Sequence, residues 1–515
     1  MKKLVVLFLT LFVFNALAEN TNVYFCKQEF SKLPILQGGR VKPLYVHSKE
    51  MMKYLTGKTE LEGLSSTLAY CLLSLEGLGI SNSLNINIRV DHSESRALLE
   101  LGEEKTIKVT ELVDKKDLIR AQMSKATPDS SYQKSLKKLL NKVSLYSNIV
   151  SSQNWLLPEL NNNEISWVPL SAFLRESKIL EAKKTSINPF QVVIQESANH
   201  FDKVNPKSSY KLEYKYAKAN LPIWSMLISL VGLLFLTLFK KFKVALGLGL
   251  ITVVIQAIHI AMRVMISGRA PITNMYETVM FSGFGALILA IIIGHYKKEK
   301  VFIYIGLAYN VCTLMMMNFA GSMLSPNISP LVPVLRDNFW LSTHVTTIIL
   351  SYGALALSWV LGNSVLIKGR FNSLSSADEK YYSDLIYTCL KYGTIMLGAG
   401  IVLGGIWADY SWGRFWGWDP KETWSLIVLC IYIAILHGRY TNWIPPKRFI
   451  PLVTASFMSV MMAWFGVNYI LAAGLHSYGF SEGGAIFLGS FFLIQILVLV
   501  FTWKPVKNNR EPKNV

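Results

Sequence analysis

The chain has no CxxC pair, and its five cysteines, Cys26, Cys71, Cys312, Cys389 and Cys430, are scattered. That excludes a zinc ribbon and a thioredoxin-like redox centre. Acidic residues are scarce: 33 Asp and Glu stand against 52 Lys and Arg, giving a net charge of +19 over 515 residues. There is no internal repeat, no low-complexity tract and no basic helix carrying base-reading side chains. The positive excess instead sits in short clusters beside apolar runs, the pattern of positive-inside membrane topology, so nucleic acid is excluded as a partner. A hydrophobic content of 51% is too high for an ordinary soluble chain and fits several membrane spans plus a water-facing part.

Residues 1–18 have a basic start (Lys2, Lys3), a short apolar core and Ala16-Leu17-Ala18, which reads as a secretory signal peptide. Residues 19–220 lack any spanning run and form an exported mixed α/β domain. Stretches 108–122 and 132–150 have helical spacing, and 83–90 (SLNINIRV) alternates like a strand. Cys26 and Cys71 fall here, where a disulfide persists in an oxidising compartment; the sequence leaves their pairing open. Residues 221–503 are expected to be a polytopic α-helical bundle of about nine spans, near 222–240, 244–266, 276–295, 301–323, 344–367, 384–406, 421–439, 449–473 and 483–503. Lys/Arg-rich connections at 240–243, 295–298, 368–370 and 439–448, with the basic tail 504–515, alternate with connections poorer in Lys and Arg. The basic set is therefore assigned to the cytoplasm. Loops 268–275, 324–343, 407–424 and 474–482 then share the outer face with the N-terminal domain.

The densest feature is 407–424, WADYSWGRFWGWDPKETW, with five tryptophans. Indole suits a membrane boundary, and for Trp407 and Trp424 an anchoring belt is the simpler reading. Trp412, Trp416 and Trp418, interleaved with Gly413 and Gly417, read instead as a platform that a planar ligand approaches closely. Asp419-Pro420-Lys421-Glu422 carries helix-start chemistry, and Asn274 to Glu277 repeats it, so these carboxylates are equally explained as caps.

Five of the eight histidines lie in the membrane half: His259, His295, His344, His437 and His476. Ionisable groups in or beside spans mark function by default. His344 is expected to open the fifth span, where a helix N-terminus keeps imidazole neutral and able to ligate a metal. His476 follows Gly474 on the same face. The pair, flanking the Trp platform, points to axial ligation of haem iron, with Arg269, Arg336, Arg414 and Lys421 available for its propionates. His437 lies about 18 residues beyond Asp419, roughly 27 Å deeper, too far for the same porphyrin. It serves a second haem within the bilayer or makes a structural hydrogen bond. His259, roughly 13 Å below the outer boundary, and a histidine of another polypeptide are its candidate companions. His295 reads as an ordinary boundary residue.

The segment WGRFWGWDPKETW, with GRAPITNMYE at 268–277, WLSTHV at 340–345, ILHGRY at 435–440 and GLHSYG at 474–479, resembles the CcsA/ResC family of cytochrome c biogenesis proteins, within the haem-handling superfamily named for its WWD domain. The resemblance covers roughly 222–503. It implies that His344 and His476 ligate a non-covalent haem b at the outer WWD site and that His437 is a transmembrane haem histidine. It also implies an apocytochrome c client with a CxxCH motif, a ResB/CcsB-like membrane partner, thiol-reducing proteins, and a place in the bacterial inner membrane as part of a cytochrome c synthase. The chain lacks CxxCH, so no covalent haem of its own is expected. It departs from fused members of the system in having a single exported domain upstream, where only LPILQGGRVKPL at 33–44 is similar to a segment of those proteins. Two rival readings stand beside this one. One is a di-haem electron-transfer protein; the other is a transporter or glycan-handling protein in which the tryptophans stack on sugars and Asp419 or Glu422 acts as acid or base.

Overall fold

The computed structural model describes residues 26–79, 84–128, 130–161, 164–176, 189–321, 323–330, 337–471 and 483–503. The chain separates into two compact units, Met1–Lys218 and Ala219–Val515.

In the first unit, strands β1 (Pro34–Gln37) and β2 (Arg40–Pro43) form a hairpin with Gln37 opposite Arg40. Its two-residue turn is Gly38-Gly39, both at positive φ (57° and 74°), which side-chain-bearing residues adopt only with strain. Three more two-stranded antiparallel ladders follow: β3 (Glu60–Leu61) with β4 (Leu64–Ser65), β5 (Asn87–Arg89) with β6 (Thr106–Lys108), and β7 (Leu156–Asn161) with β8 (Glu164–Pro169). Of the strand expected at 83–90, only Asn87–Arg89 forms β5, and Ser83 lies outside the described residues. Helices α1 (Leu44–Thr56), α2 (Ser66–Glu76) and α3 (Ser131–Val150) pack around Tyr70, Trp155, Leu44 and Ile35, all fully buried. A disulfide joins Cys26 to Cys71. His47 of α1 is buried between β1 and α2, with Nδ1 at 2.5 Å from Gln37 Oε1 and Nε2 at 2.9 Å from the Tyr70 hydroxyl.

Among the described residues of the chain, nine helices are long and apolar enough to cross a membrane. They are α4 (Tyr210–Thr237), α5 (Phe242–Ser267), α6 (Met275–Lys297), α7 (Val301–Phe319), α8 (Asn338–Phe371), α9 (Ser376–Trp412), α10 (Pro420–Tyr440), α11 (Pro446–Leu471) and α12 (Gly484–Thr502). The expected mainly α bundle is therefore present, with several limits moved, two of which bear on the site. The fifth helix begins at Asn338, because Asp337 caps it by accepting the Phe339 and Trp340 N–H groups at 3.0 Å. The sixth runs 37 residues, roughly 55 Å against an apolar layer of about 30 Å. Trp407 and Trp412 thus belong to helix α9, and only residues 413–419 form the connecting loop.

Helix α8 is the hub, packing on α6, α7, α9, α11 and α12. Small residues set its close crossings: a methyl on Gly353 would stand 3.1 Å from the Ser282 carbonyl oxygen of α6, and one on Gly393 of α9 would meet Leu355 at 2.6 Å. Helices α4 and α5 lie to one side, α5 packing on α4, α6 and α7, while α10 packs on α9 and α11.

Candidate functional site

The ends of α6, α8, α9, α10 and α11 and the 413–419 loop enclose a largely apolar pocket with about 1080 Å³ of empty space, open solvent included. Its walls are Ile348 and Tyr352 from α8, Trp407 from α9, Phe415 and Trp416 from the loop, and Trp464 from α11. Two wall segments are π-helical, Leu341–Val345 and Met462–Leu471. Such local widening is frequent where a helix carries a functional side chain. The first contains His344 and the second Trp464 and Asn468.

His344 sits two turns inside α8. The expected neutrality from a helix start therefore has no basis here, since the N-terminal turn is at Asn338–Trp340. A different contact orients the ring: Nδ1 lies 2.8 Å from the Gly400 carbonyl oxygen. A carbonyl can only accept, so Nδ1 carries the hydrogen and Nε2 the lone pair that a metal requires. Gly404, one turn along α9, gives the ring its room: a methyl there would stand 2.6 Å from Cε1 and 2.9 Å from Nδ1. Gly405 does the same for Phe415, whose Cζ would be 2.5 Å from an added methyl.

The loop is held by caps. Gly413 ends α9 at φ 68°, its N–H donating to Asp409 O at 2.8 Å. Asp419 starts α10, accepting the Lys421 and Glu422 N–H groups at 2.9 Å. Glu422 returns the bond to Asp419 N–H at 3.4 Å, accepts Gly417 N–H at 2.6 Å and pairs with Arg414 at 3.3 Å. Arg414 in turn lies over the Trp412 ring at 5.8 Å. Both carboxylates are thus engaged in building the loop.

The segment 268–277 frames the other rim. Arg263 and Glu277 form an ion pair at 2.7 Å with side chains 0% and 1% exposed. Arg263 also donates to Pro326 O at 2.8 Å, and Glu277 accepts both N–H (2.8 Å) and O–H (2.7 Å) of Thr273. Arg269 bonds Thr273 and Ser329 O at 2.7 Å each. Asn274 caps α6 by accepting Glu277 N–H at 2.9 Å.

Of the residues singled out in the sequence, His344, Trp407, Trp416, Lys421 and Glu422 line the pocket. Trp412, Arg414 and Asp419 build the adjoining loop. Trp418 is 69% exposed at φ 57°, edge-on to Trp416 at 5.9 Å. His437 is exposed near the far end of α10, and His259 is buried on α5. The helices bearing these two have different neighbours, so the structure does not bring them together. His476 and Arg336 lie outside the described residues. Sequence reasoning missed Trp407, assigned to a belt, and Trp464, Tyr352 and Phe415. For the two in mid-helix, an indole or phenol inside an apolar run was the available signal.

The three pocket indoles differ in one respect. Trp464 donates to Thr278 Oγ1 at 3.1 Å, whereas the buried Nε1 atoms of Trp407 and Trp416 meet no acceptor among the described residues. Leaving a buried donor unpaired costs about 1–3 kcal/mol. An aromatic pocket with one oriented imidazole and unsatisfied donors fits a flat ligand that carries acceptor atoms and a metal centre.

Comparison with known proteins bears on the same helices. A family described as "Cytochrome C assembly protein" matches residues 272–476. The chain is 32% identical over 291 residues to the cytochrome c biogenesis protein CcsA of Guillardia theta, covering 50% of this chain and 95% of that protein. It is 34% identical over 266 residues to protein NrfI of Wolinella succinogenes, spanning 49% of this chain and 28% of that much longer protein. CcsA of Chlamydomonas reinhardtii is 34% identical over 223 residues, 42% of this chain and 62% of that protein. Among solved structures, "Cytochrome c Heme Lyase CcmF" aligns with 55% of this chain and 49% of that chain at a TM-score of 0.39 and 15% identity, too low for a shared fold to be read from it.

Proposed function

The chain belongs to the CcsA family of cytochrome c biogenesis proteins, and from that premise we propose that the pocket behind Trp416 receives haem b, non-covalently, for attachment to an apocytochrome c. One observation carries the assignment: the His344 ring, held through Nδ1 by Gly400 O, lines a pocket walled by aromatic side chains. Haem supplies an iron that takes imidazole ligands and vinyl groups that accept client thiols. The chain's own part is positional. His344 offers the ligand, Trp416, Trp407 and Tyr352 exclude water and hold the ring faces, and the capped 413–419 loop keeps Trp416 in place.

In this reading His476 is the second axial ligand. His437, exposed on the surface of α10, serves a separate intramembrane haem together with a ResB/CcsB-like membrane partner, because no histidine of this chain is packed against it among the described residues. The client is an apocytochrome c with a CxxCH motif whose thiols are kept reduced by thiol-reducing proteins. The bacterial inner membrane is the location, with the pocket and the disulfide-bearing domain on the outer side. A glycan-handling role is disfavoured because Asp419 and Glu422 are committed to caps.

The test is cytochrome c maturation in a strain lacking the gene, complemented with His344→Gly. Loss of maturation, partly restored by free imidazole, is the expected outcome. Full maturation with an unchanged haem spectrum in the purified variant removes His344 as a ligand and reopens the sugar reading.

A further inference from the structure

We propose that Trp407, Trp416 and Lys421 form a carboxylate-binding subsite of the pocket, which selects tetrapyrroles by their propionate groups. The inference rests on the haem reading of the same pocket and adds which part of the ligand the wall recognises.

Trp407, Trp416 and Lys421 all line this pocket, and the two indole donors have no acceptor among the described residues. Trp407 is 5% exposed, and its indole N–H, like that of Trp416, is buried with no acceptor among the described residues. Lys421 has one polar contact, Nζ to Asn468 Oδ1 at 3.4 Å, and no carboxylate within ion-pair distance among the described residues. The one carboxylate among the pocket's described lining residues is Glu422, and its two oxygens already serve Gly417, Asp419 and Arg414. Two buried indole N–H groups thus lack an acceptor, and the Lys421 ammonium lacks an ion pair, among the described residues, in surroundings where an unpaired donor or cation is costly. Of the other basic candidates, Arg336 lies outside the described residues and the remaining two are committed elsewhere. Arg414 pairs with Glu422, and Arg269 is tied to Thr273 and Ser329.

Anionic oxygens supply the missing partner. A carboxylate accepts several hydrogen bonds at once and balances an ammonium, which neither a vinyl nor a methyl group can do. The wall that holds these donors thus meets the acidic edge of the macrocycle, leaving the vinyl edge for the side from which thiols approach.

The experiment uses the full-length protein in detergent and follows Soret absorbance during titration with iron protoporphyrin IX and, separately, with its dimethyl ester. The free acid should bind about tenfold tighter or more, as expected for charge-assisted hydrogen bonds. Trp407→Phe and Lys421→Met should each shrink that discrimination, mainly by weakening the free acid. Trp464→Phe should leave it unchanged, since that indole is already bonded to Thr278. Equal binding of acid and ester by the unmodified protein overturns the subsite while leaving the haem reading intact, and needs no variant to fold. If neither compound binds in a His344-dependent way, the haem reading fails and the subsite falls with it.

Discussion

The imidazole of His344 lies directly against the α-carbon of Gly404, so that a methyl group there would stand 2.6 Å from Cε1. The same ring is tied to α9 one turn earlier through Gly400 O at 2.8 Å. Two helices therefore share the task of orienting one imidazole, α9 through its backbone at Gly400 and Gly404 and through the Trp407 ring at 5.8 Å.

Gly404→Ala should consequently displace the ring without removing it. Overpacking of this size costs about 1–3 kcal/mol when neighbours must move. The expected outcome is a folded protein whose haem spectrum shifts toward weaker axial ligation and whose maturation activity falls about tenfold or more. Added imidazole should help less than it helps His344→Gly, because the displaced ring still occupies the space. An unaltered spectrum in Gly404→Ala would show that the contact has no part in ligation.

The Arg263–Glu277 pair yields a prediction about stability. Each partner is fully enclosed, and Glu277 also anchors Thr273 at the pocket rim. Removing one member leaves a buried charge uncompensated, which costs about 3–5 kcal/mol. Glu277→Ala should therefore lower the thermal midpoint of the detergent-purified protein and reduce its yield, and Glu277→Gln should fall between that variant and the original. A surface ion pair such as Arg89–Asp91, with both side chains more than half exposed, should show almost no effect when broken.

These two contacts mark how far the sequence could be read. Apolar runs are local, so all nine spans were legible, as was the cap at Asp419. The fifth span was begun at His344 because the preceding Asp337-Asn338 and Ser342-Thr343 interrupt the apolar run. Asn338, Ser342 and Thr343 are nevertheless helical, and Asp337 caps the helix. The same logic misplaced Trp407, which helix α9 carries past its apolar stretch and turns into the pocket. Trp464 and Tyr352 were invisible as site residues because their role depends on which helices meet. No local pattern records that Gly404 faces an imidazole 60 residues earlier.

Cysteine chemistry tests the topology. Cys26 and Cys71 are disulfide-bonded, while Cys312, Cys389 and Cys430 are free thiols. If residues 19–220 are exported, alkylation of intact cells before and after reduction should reveal one pair of protected cysteines. Replacing both Cys26 and Cys71 with Ser should abolish that difference, and closing a loop of this length is worth about 3–4 kcal/mol of domain stability. Two additional free thiols in the unreduced protein would place the domain in a reducing compartment and overturn the outer assignment.

His47 gives the N-terminal unit a dependence on pH. Burial, aided by the positive charge of Lys42, lowers its pKa from 6.5 to about 3. The unfolded chain thus binds a proton that the folded domain refuses. The stabilisation is complete above the unfolded value near 6.5 and is lost progressively as pH falls toward 3, at about 1.4 kcal/mol for each pH unit. Hydrogen exchange of peptides covering Leu44–Thr56 in the full-length protein should therefore quicken between pH 6.5 and 4.5, after correction for intrinsic rates. His47→Gln removes the titrating group while still bonding Gln37 or Tyr70, so it should flatten that profile at some cost in stability near neutral pH. Should the acid-dependent opening persist unchanged in His47→Gln, the proton is taken up elsewhere. Glu50 is not that group, since burial raises its pKa despite its 2.7 Å pair with Lys42, and a raised folded-state pKa favours the fold as pH falls.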